Sequence, residues 1–303
     1  MFYQIVRYFF LNFYRYFLRK PLHSEKSGSP PLFILSSGRS GSTLLRKILV
    51  RTEKVAIPPE SYSLIPALTF TYIRFNHLSW EKLIDKLLSV VHRSKILESW
   101  KTSLQEDDIV YLKRYLEDKS LSGIIKYLYE LHGQKYYSQT KLWGDKTPML
   151  VYYIEELQRV FPDAKYIYMI RDGRDVVSSF LTHQLFFNIG KLSKRWLYSL
   201  KVLDKLKKRL NPEQILIVKY EDLVQDPERV VQQVCLFLKL EYNPAFLVNS
   251  DVYLGDGFFT HHNNIEKNIS LQFIGKWKEN LTKEQQKEVT ERMWIGLKKW
   301  NYN

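Results

Sequence analysis

Short apolar runs alternate with amphipathic stretches along most of the chain, and this alternation predicts the fold class. The runs at 31–35, 165–170 and 214–219 have the length of buried strands, and each is followed by a turn and a helical pattern. Strands that alternate with helices predict an α/β fold with a parallel sheet and helices on both of its faces. Ligands of such a fold bind at the carboxyl ends of the strands.

The region after the first strand–helix unit has a different pattern. Residues 54–57 are strand-like and end at two prolines, whereas residues from about 64 to 138 carry helical periodicity without a strong strand. We therefore predict a helical insertion in the parallel sheet.

The first 20 residues are rich in aromatic and basic side chains. Arg7 and Arg15 interrupt the apolar run, whereas a spanning helix needs about 20 apolar residues, and no small residues follow as in a cleavable signal. The polar residues gather on one helical face, which is typical of a helix lying on an anionic membrane. An aromatic helix packed against the domain is an equal alternative. We assign 1–30 to this helix and a linker, and 31–303 to the main domain.

Composition limits the function classes. With 303 residues and 45% hydrophobic content, the chain is too apolar to be disordered and long enough for one large α/β domain. Its one cysteine, Cys235, excludes an internal disulfide and a thiolate metal cluster, so we expect a reducing, cytoplasmic location. The net charge of +14 predicts an anionic partner: nucleic acid, acidic lipid or a phosphorylated small ligand.

A loop of small residues joins the first strand to its helix and has the composition of an anion-binding site. Glycines allow the backbone to approach the ligand, and the helix N-terminus offers free N–H groups. A nucleotide triphosphatase would carry Gly-Lys-Ser/Thr here, whereas this P-loop-like turn has Gly-Ser-Thr and takes its charge from Arg39. A packing turn is the alternative interpretation. The candidate binding residues are Gly38, Arg39, Ser40, Gly41, Ser42 and Thr43.

A second basic motif follows the strand at 165–170. Arg171 stands at the strand end, and Ser179 lies eight positions later in the next helix. Arginine binds phosphate with two parallel hydrogen bonds, and the serine hydroxyl can complete the contact. The alternative is a surface loop whose arginines pair with Asp172 and Asp175. Two anion sites at the strand ends of one sheet predict one ligand with two separated anionic groups.

Together with Lys219–Leu223 (KYEDL) and Gly275–Trp277 (GKW), these motifs resemble the sulfotransferases, which use 3′-phosphoadenosine 5′-phosphosulfate (PAPS) as donor. The resemblance covers about residues 31–300. It implies that Arg39 to Thr43 bind the 5′-phosphosulfate and that Arg171 and Ser179 bind the 3′-phosphate. It further implies that Tyr220 lies near the nucleotide and that Lys276 closes over its phosphate end.

Within the family, the chain is most similar to the tyrosylprotein-type and related bacterial branch. In that branch a glutamate 21 positions after the loop arginine is the general base, and this offset leads to Glu60. Ser61 and Tyr62 stand where the branch has a further arginine. Lys146, in the sequence Gly-Asp-Lys-Thr-Pro at a predicted helix entrance, corresponds to a lysine that contacts the transferring group.

The resemblance implies a metal-free mechanism. Glu60 takes the proton of an acceptor hydroxyl, while Arg39 and Lys146 neutralise the charge that moves onto the departing oxygen. His183, near the second anion site, is a rival base, although a hydrogen-bonded structural role is expected.

Two other function classes agree less well with the motifs than a PAPS-dependent sulfotransferase does. A P-loop-type nucleotide-dependent kinase is disfavoured by the missing Gly-Lys-Ser/Thr and by the lack of an acidic metal-binding strand end. A non-catalytic binder of anionic ligands does not explain two strand-end sites. We therefore expect an acceptor that bears a hydroxyl (a sugar, lipid, peptide or small molecule) and no nucleic-acid partner. Peripheral contact of the N-terminal helix with an anionic membrane stays one of the two interpretations given above.

Overall fold

A parallel β-sheet forms the centre of the protein. The computed structural model describes residues 18–24, 28–137, 139–248 and 269–302. The strands are β1 (Leu32–Leu35), β2 (Val55–Ala56), β3 (Leu142–Asp145), β4 (Lys165–Ile170) and β5 (Ile215–Lys219). Their order is β2-β3-β1-β4-β5, and each neighbouring pair is parallel. The three main predicted strands are confirmed to within one residue, whereas the sequence pattern did not indicate β3.

Helices cover both faces of the sheet and form the predicted insertion. They are α1 (Ser42–Val50), α2 (Leu64–Phe75), α3 (Trp80–Ser94), α4 (Ile96–Ser99), α5 (Glu106–Val110), α6 (Leu121–Tyr136), α7 (Ile154–Val160), α8 (Gly173–Thr182), α9 (Ile189–Arg209), α10 (Tyr220–Gln225), α11 (Pro227–Leu238), α12 (Trp277–Asn280) and α13 (Lys283–Lys299). Helices α2 to α6 constitute the insertion between β2 and β3, as expected. A π-helical turn, Tyr111–Tyr115, follows α5, and a 3₁₀ segment, Pro148–Tyr153, precedes α7.

The two faces of the sheet have separate cores. Phe33 and Leu35 of β1 pack with the insertion, α8 and α9, whereas Leu32 and Ile34 pack with α1 and α11. Successive side chains of a strand point to opposite faces, so a continuous apolar run is what a strand covered on both sides requires. The strand ends that carry the polar motifs therefore lie at one edge of a sheet that is rigidly held from both sides.

Residues 18–24 contact the helical insertion. The side-chain oxygen of Asn76 accepts hydrogen bonds from the backbone N–H groups of Arg19 (2.5 Å) and Lys20 (2.8 Å). The hydroxyl of Tyr72 donates to the carbonyl of Pro21 at 2.8 Å. The domain boundary after residue 30 stays a prediction, and most of the aromatic segment (1–17) lies outside the described residues.

Candidate active site

The loop between β1 and α1 has the backbone conformation of an anion-binding turn. Gly38, Arg39 and Gly41 have φ angles of 86°, 54° and 79°, in the left-handed region. A β-carbon added at Gly41 would lie 2.3 Å from Cδ2 of Tyr220, so the ring packs directly on the glycine backbone. Left-handed residues within a turn direct successive N–H groups towards a common concavity. Helix α1 begins at Ser42, immediately after this turn.

The loop arginine bridges to the second predicted anion site. Nε of Arg39 donates to Oγ of Ser179 at 3.0 Å, and its Nη2 lies 3.5 Å from Nε2 of His183. Nδ1 of His183 lies 2.8 Å from the carbonyl oxygen of Ser179. A carbonyl only accepts hydrogen bonds, so Nδ1 carries the proton and the ring is held in place. This contact matches the structural role expected for His183.

Arg171 lies at the junction of three segments. Its Nη1 donates to the carbonyl of Arg39 at 3.1 Å and its Nη2 to the carbonyl of Phe273 at 2.5 Å. Its guanidinium carbon lies 4.5 Å from the ring centroid of Tyr220. Burial lowers the pKa of Arg39, and the charge of Arg171 lowers it further, while Glu60 opposes this shift. Two neighbouring guanidinium groups, that of Arg171 buried and that of Arg39 half-buried, favour an anion between them.

Glu60 and Lys146 form an ion pair beside the loop. Nζ of Lys146 donates to Oε1 of Glu60 at 2.6 Å and to Oγ1 of Thr43 at 3.1 Å. The lysine side chain is 2% exposed and the glutamate side chain 28%. Thr147 is the residue before the 3₁₀ segment and Pro148 its first residue, as the sequence predicted. The fold therefore brings a carboxylate open to solvent and a buried cation together at the start of α1.

The late Gly-Lys-Trp segment is anchored to α8. The carboxylate of Asp175 accepts hydrogen bonds from the backbone N–H groups of Gly275 (2.8 Å) and Trp277 (2.9 Å). The ring of Trp277 lies under the guanidinium of Arg174, 4.3 Å from its carbon. The ammonium of Lys276 instead pairs with Glu279 at 2.6 Å on the surface. The segment therefore lies beside α8, which also carries Ser179, and the phosphate contact of Lys276 stays a prediction.

Sequence reasoning missed Arg195, which also contacts the loop. Its Nε donates to the carbonyl of Ser37 at 2.7 Å, and its guanidinium lies 5.2 Å from the ring centroid of Phe180. Helix α9 is rich in lysine and arginine, a composition that usually belongs to a solvated face. Arg195 is nevertheless three positions after the buried Leu192 and adjacent to the buried Trp196. A charge within an apolar stripe was the available signal.

The described ranges, with gaps at 25–27, 138 and 249–268, contain no group of three or more His, Cys, Asp or Glu side chains placed to hold a metal ion. The adjacent histidines His261 and His262 lie outside these ranges. The expectation of a metal-free reaction stays a prediction.

Known proteins identify the class of this fold and site. The model described as "Sulfotransferase family" matches residues 30–244, which is more than two thirds of the chain. The chain therefore belongs to the sulfotransferase family, as its motifs predicted.

Several relatives are similar along most of the chain. The protein-tyrosine sulfotransferase of Drosophila melanogaster is 24% identical over 232 residues, which cover 75% of this chain but only 41% of the fly protein. The omega-hydroxy-beta-dihydromenaquinone-9 sulfotransferase Stf3 of Mycobacterium tuberculosis is 24% identical over 268 residues, covering 75% of this chain and 67% of that protein.

A solved structure supports the fold. The sulfotransferase domain of the olefin synthase from Synechococcus PCC 7002 superposes with a TM-score of 0.60 and 24% identity, covering 90% of this chain and 97% of that domain. The predicted P-loop-like α/β fold is confirmed.

Proposed function

We propose that this protein transfers the sulfuryl group of PAPS to the hydroxyl of an acceptor. The observation that carries the proposal is the Glu60–Lys146 ion pair, which adjoins the anion loop through Thr43. It supplies a proton acceptor and a cation at the same loop. Arg171, whose guanidinium donates to the carbonyl of Arg39, offers the second anion position that a bisphosphorylated nucleotide requires.

The donor is proposed to bind along the strand ends of β1 and β4. The turn around Arg39 and the start of α1 would hold the 5′-phosphosulfate, because free N–H groups and positive charge meet there. Arg171 and Ser179 would hold the 3′-phosphate. Nε of Arg39 donates to Oγ of Ser179, so the residues proposed for the 5′-phosphosulfate and those proposed for the 3′-phosphate adjoin each other. Tyr220 would lie beside the nucleotide, since it packs on Gly41 and under Arg171.

The ion pair suggests how the transfer is catalysed. Glu60 would accept the proton of the attacking hydroxyl. Protonation neutralises the carboxylate, and the charge of Lys146 then acts on the oxygen from which the sulfuryl group departs. Lys146 is nearly fully buried, so water screens its charge little. Each proton taken up by Glu60 would therefore strengthen the stabilisation of the leaving group.

The acceptor is proposed only as a hydroxyl compound. The relatives' names specify protein tyrosine in one case and a hydroxylated menaquinone in another. Both are hydroxyl acceptors, one a protein and one a lipid, so family membership leaves both open for this chain.

Donor binding is expected to raise the stability of the protein. Adenosine 3′,5′-bisphosphate at 100 times its dissociation constant should add about 2.7 kcal/mol to the free energy of unfolding, without added metal. Thermal unfolding measures this, with ATP–magnesium and an oligonucleotide as comparison ligands. Stabilisation by ATP–magnesium alone would favour a kinase, and stabilisation by the oligonucleotide alone would favour a nucleic-acid binder.

We also propose peripheral membrane attachment of an otherwise cytoplasmic enzyme. No helix in the described part of the chain is long and apolar enough to cross a bilayer. Residues 1–17 combine aromatic residues with Arg7 and Arg15, a composition suited to the surface of an anionic bilayer.

The full chain is expected to sediment with phosphatidylcholine–phosphatidylserine vesicles and much less with phosphatidylcholine alone. Deletion of residues 1–17 should abolish most of this binding, because the remaining domain lacks the aromatic anchor. Equal binding of the full and shortened chains would show that the segment is a packing helix. The bisphosphate-induced stabilisation of the shortened chain provides the control for folding.

A further inference from the structure

A buried carboxyl group adjoins the candidate catalytic pair. Asp145 is the last residue of β3 and immediately precedes Lys146. The residue is only 1% exposed. Its Oδ2 accepts a hydrogen bond from the hydroxyl of Tyr129 on α6. Burial raises the pKa of Asp145, and the nearby hydroxyls of Ser61, Tyr129 and Thr147 oppose this shift. The carboxyl group therefore lies among three hydroxyls.

Two of these hydroxyls belong to the chain neighbours of the catalytic pair. Ser61 follows Glu60, and Thr147 follows Lys146. The backbone N–H of Ser61 donates to Oγ1 of Thr147 at 2.8 Å, and the two hydroxyl oxygens are 3.2 Å apart. The segment that carries the carboxylate is thus joined to the segment that carries the cation by a polar cluster around Asp145.

Tyr129 connects this cluster to the helical insertion. Its ring is fully buried between Trp100 and Trp143, with ring centroids 4.8 Å and 4.9 Å away. Packing on both sides fixes the position of the hydroxyl. The hydrogen bond to Asp145 therefore transmits the position of α6 to the end of β3.

We propose that Tyr129 and Asp145 are positioning residues, which hold the segments bearing Glu60 and Lys146 at the separation that their 2.6 Å ion pair requires. This inference rests on the proposed function, which assigns the ion pair to catalysis. Packing alone does not account for the arrangement, because burying a carboxyl group costs free energy that an apolar side chain of similar volume would not. The Oδ1 atom of Asp145 has no hydrogen-bond partner within the described residues, so this cost is only partly offset.

Removal of one hydroxyl tests the proposal. Tyr129→Phe keeps the buried ring but removes the donor, and we expect the kcat for release of adenosine 3′,5′-bisphosphate from PAPS to fall about 10- to 100-fold, the effect of a small misplacement of catalytic groups. The dissociation constant of the bisphosphate should change less than about twofold, because the anion loop makes no contact with Tyr129. Asp145→Asn keeps an oxygen that accepts from Tyr129 and should retain more activity than Asp145→Ala.

Tyr166→Phe is the matched control. Tyr166 is also fully buried, and its hydroxyl has no hydrogen-bond partner among the residues that the structure describes. We expect this variant to keep the wild-type kcat. Equal kcat values for Tyr129→Phe and Tyr166→Phe would overturn the proposal, and so would a bisphosphate affinity that falls in parallel with kcat.

A crystal structure of Tyr129→Phe separates this inference from the proposed function. We expect the distance between Nζ of Lys146 and Oε1 of Glu60 to exceed 4 Å, the limit of an ion pair. An ion pair unchanged from 2.6 Å would overturn the positioning role whatever the reaction. A wild-type protein that adenosine 3′,5′-bisphosphate does not stabilise would instead contradict the proposed function.

Discussion

Replacement of Glu60 by glutamine is expected to lower turnover of PAPS by about 10²- to 10⁴-fold, the usual contribution of a positioned general base. Glutamine has nearly the same size, and its amide oxygen can still accept the hydrogen bond from Lys146. It cannot take a proton from the acceptor. The affinity for adenosine 3′,5′-bisphosphate should therefore stay almost unchanged, and the loss should appear in kcat.

Steady-state kinetics with PAPS and isothermal titration with the bisphosphate measure the two quantities. Glu155→Gln is the matched control, since Glu155 also accepts from a cation, Arg209, at 2.8 Å but on the surface. Its kcat should equal that of the wild type. Normal turnover of Glu60→Gln together with inactivity of His183→Ala would make the histidine the base and disprove the assignment of Glu60.

The second large effect is expected for Lys146→Met, with a fall in kcat of about 10²- to 10³-fold, as for loss of one group that stabilises transition-state charge. Methionine fills much of the volume of the lysine stem but has no cation. Because Lys146 and Glu60 act as a pair, the kcat of the double variant Glu60→Gln/Lys146→Met should be only slightly below that of the less active single variant.

Lys299→Met provides the control for loss of a lysine from an ion pair. Lys299 pairs with Asp204 at 2.6 Å, the same distance as in the catalytic pair, but both side chains are substantially exposed. Exposed pairs contribute about 0–1 kcal/mol to stability, and kcat should not change. Fully additive losses in the double variant would show that Glu60 and Lys146 act separately, contrary to the mechanism proposed here.

The sequence predicted those parts of the fold and site that depend on local pattern. The loop at Gly38–Thr43 and the strand at 165–170 combine an apolar run with a characteristic turn, so neighbouring residues alone indicate them. The Glu60–Lys146 contact is different, because 86 positions separate the two residues. Resemblance suggested a role for each, whereas their pairing follows only from the adjacent positions of β1, β2 and β3.

The features that were missed depend on contacts distant in sequence. Strand β3 has only four residues and ends in Gly144 and Asp145, which are uncommon in strands. Contacts with other segments explain both residues. A β-carbon at Gly144 would lie 2.4 Å from the carbonyl oxygen of Leu32, and the carboxylate of Asp145 accepts a hydrogen bond from the hydroxyl of Tyr129. Neither reason is visible in the segment itself.

The central place of β1 has a consequence for synthesis of the chain. Among the strands it is made first, yet both of its neighbours, β3 and β4, come later and end at Asp145 and Ile170. At about 5–20 residues per second, a ribosome needs roughly 7 to 27 s to reach Ile170 after Leu35. Until β4 is made, the four consecutive apolar residues of β1 lack at least one of their two strand partners, and the anion loop lacks the contacts of Arg171 and Ser179. Strand β4 must therefore pair with β1 long after β1 is made. The ability to bind the donor should arise late in translation, when β4 and β5 join the sheet.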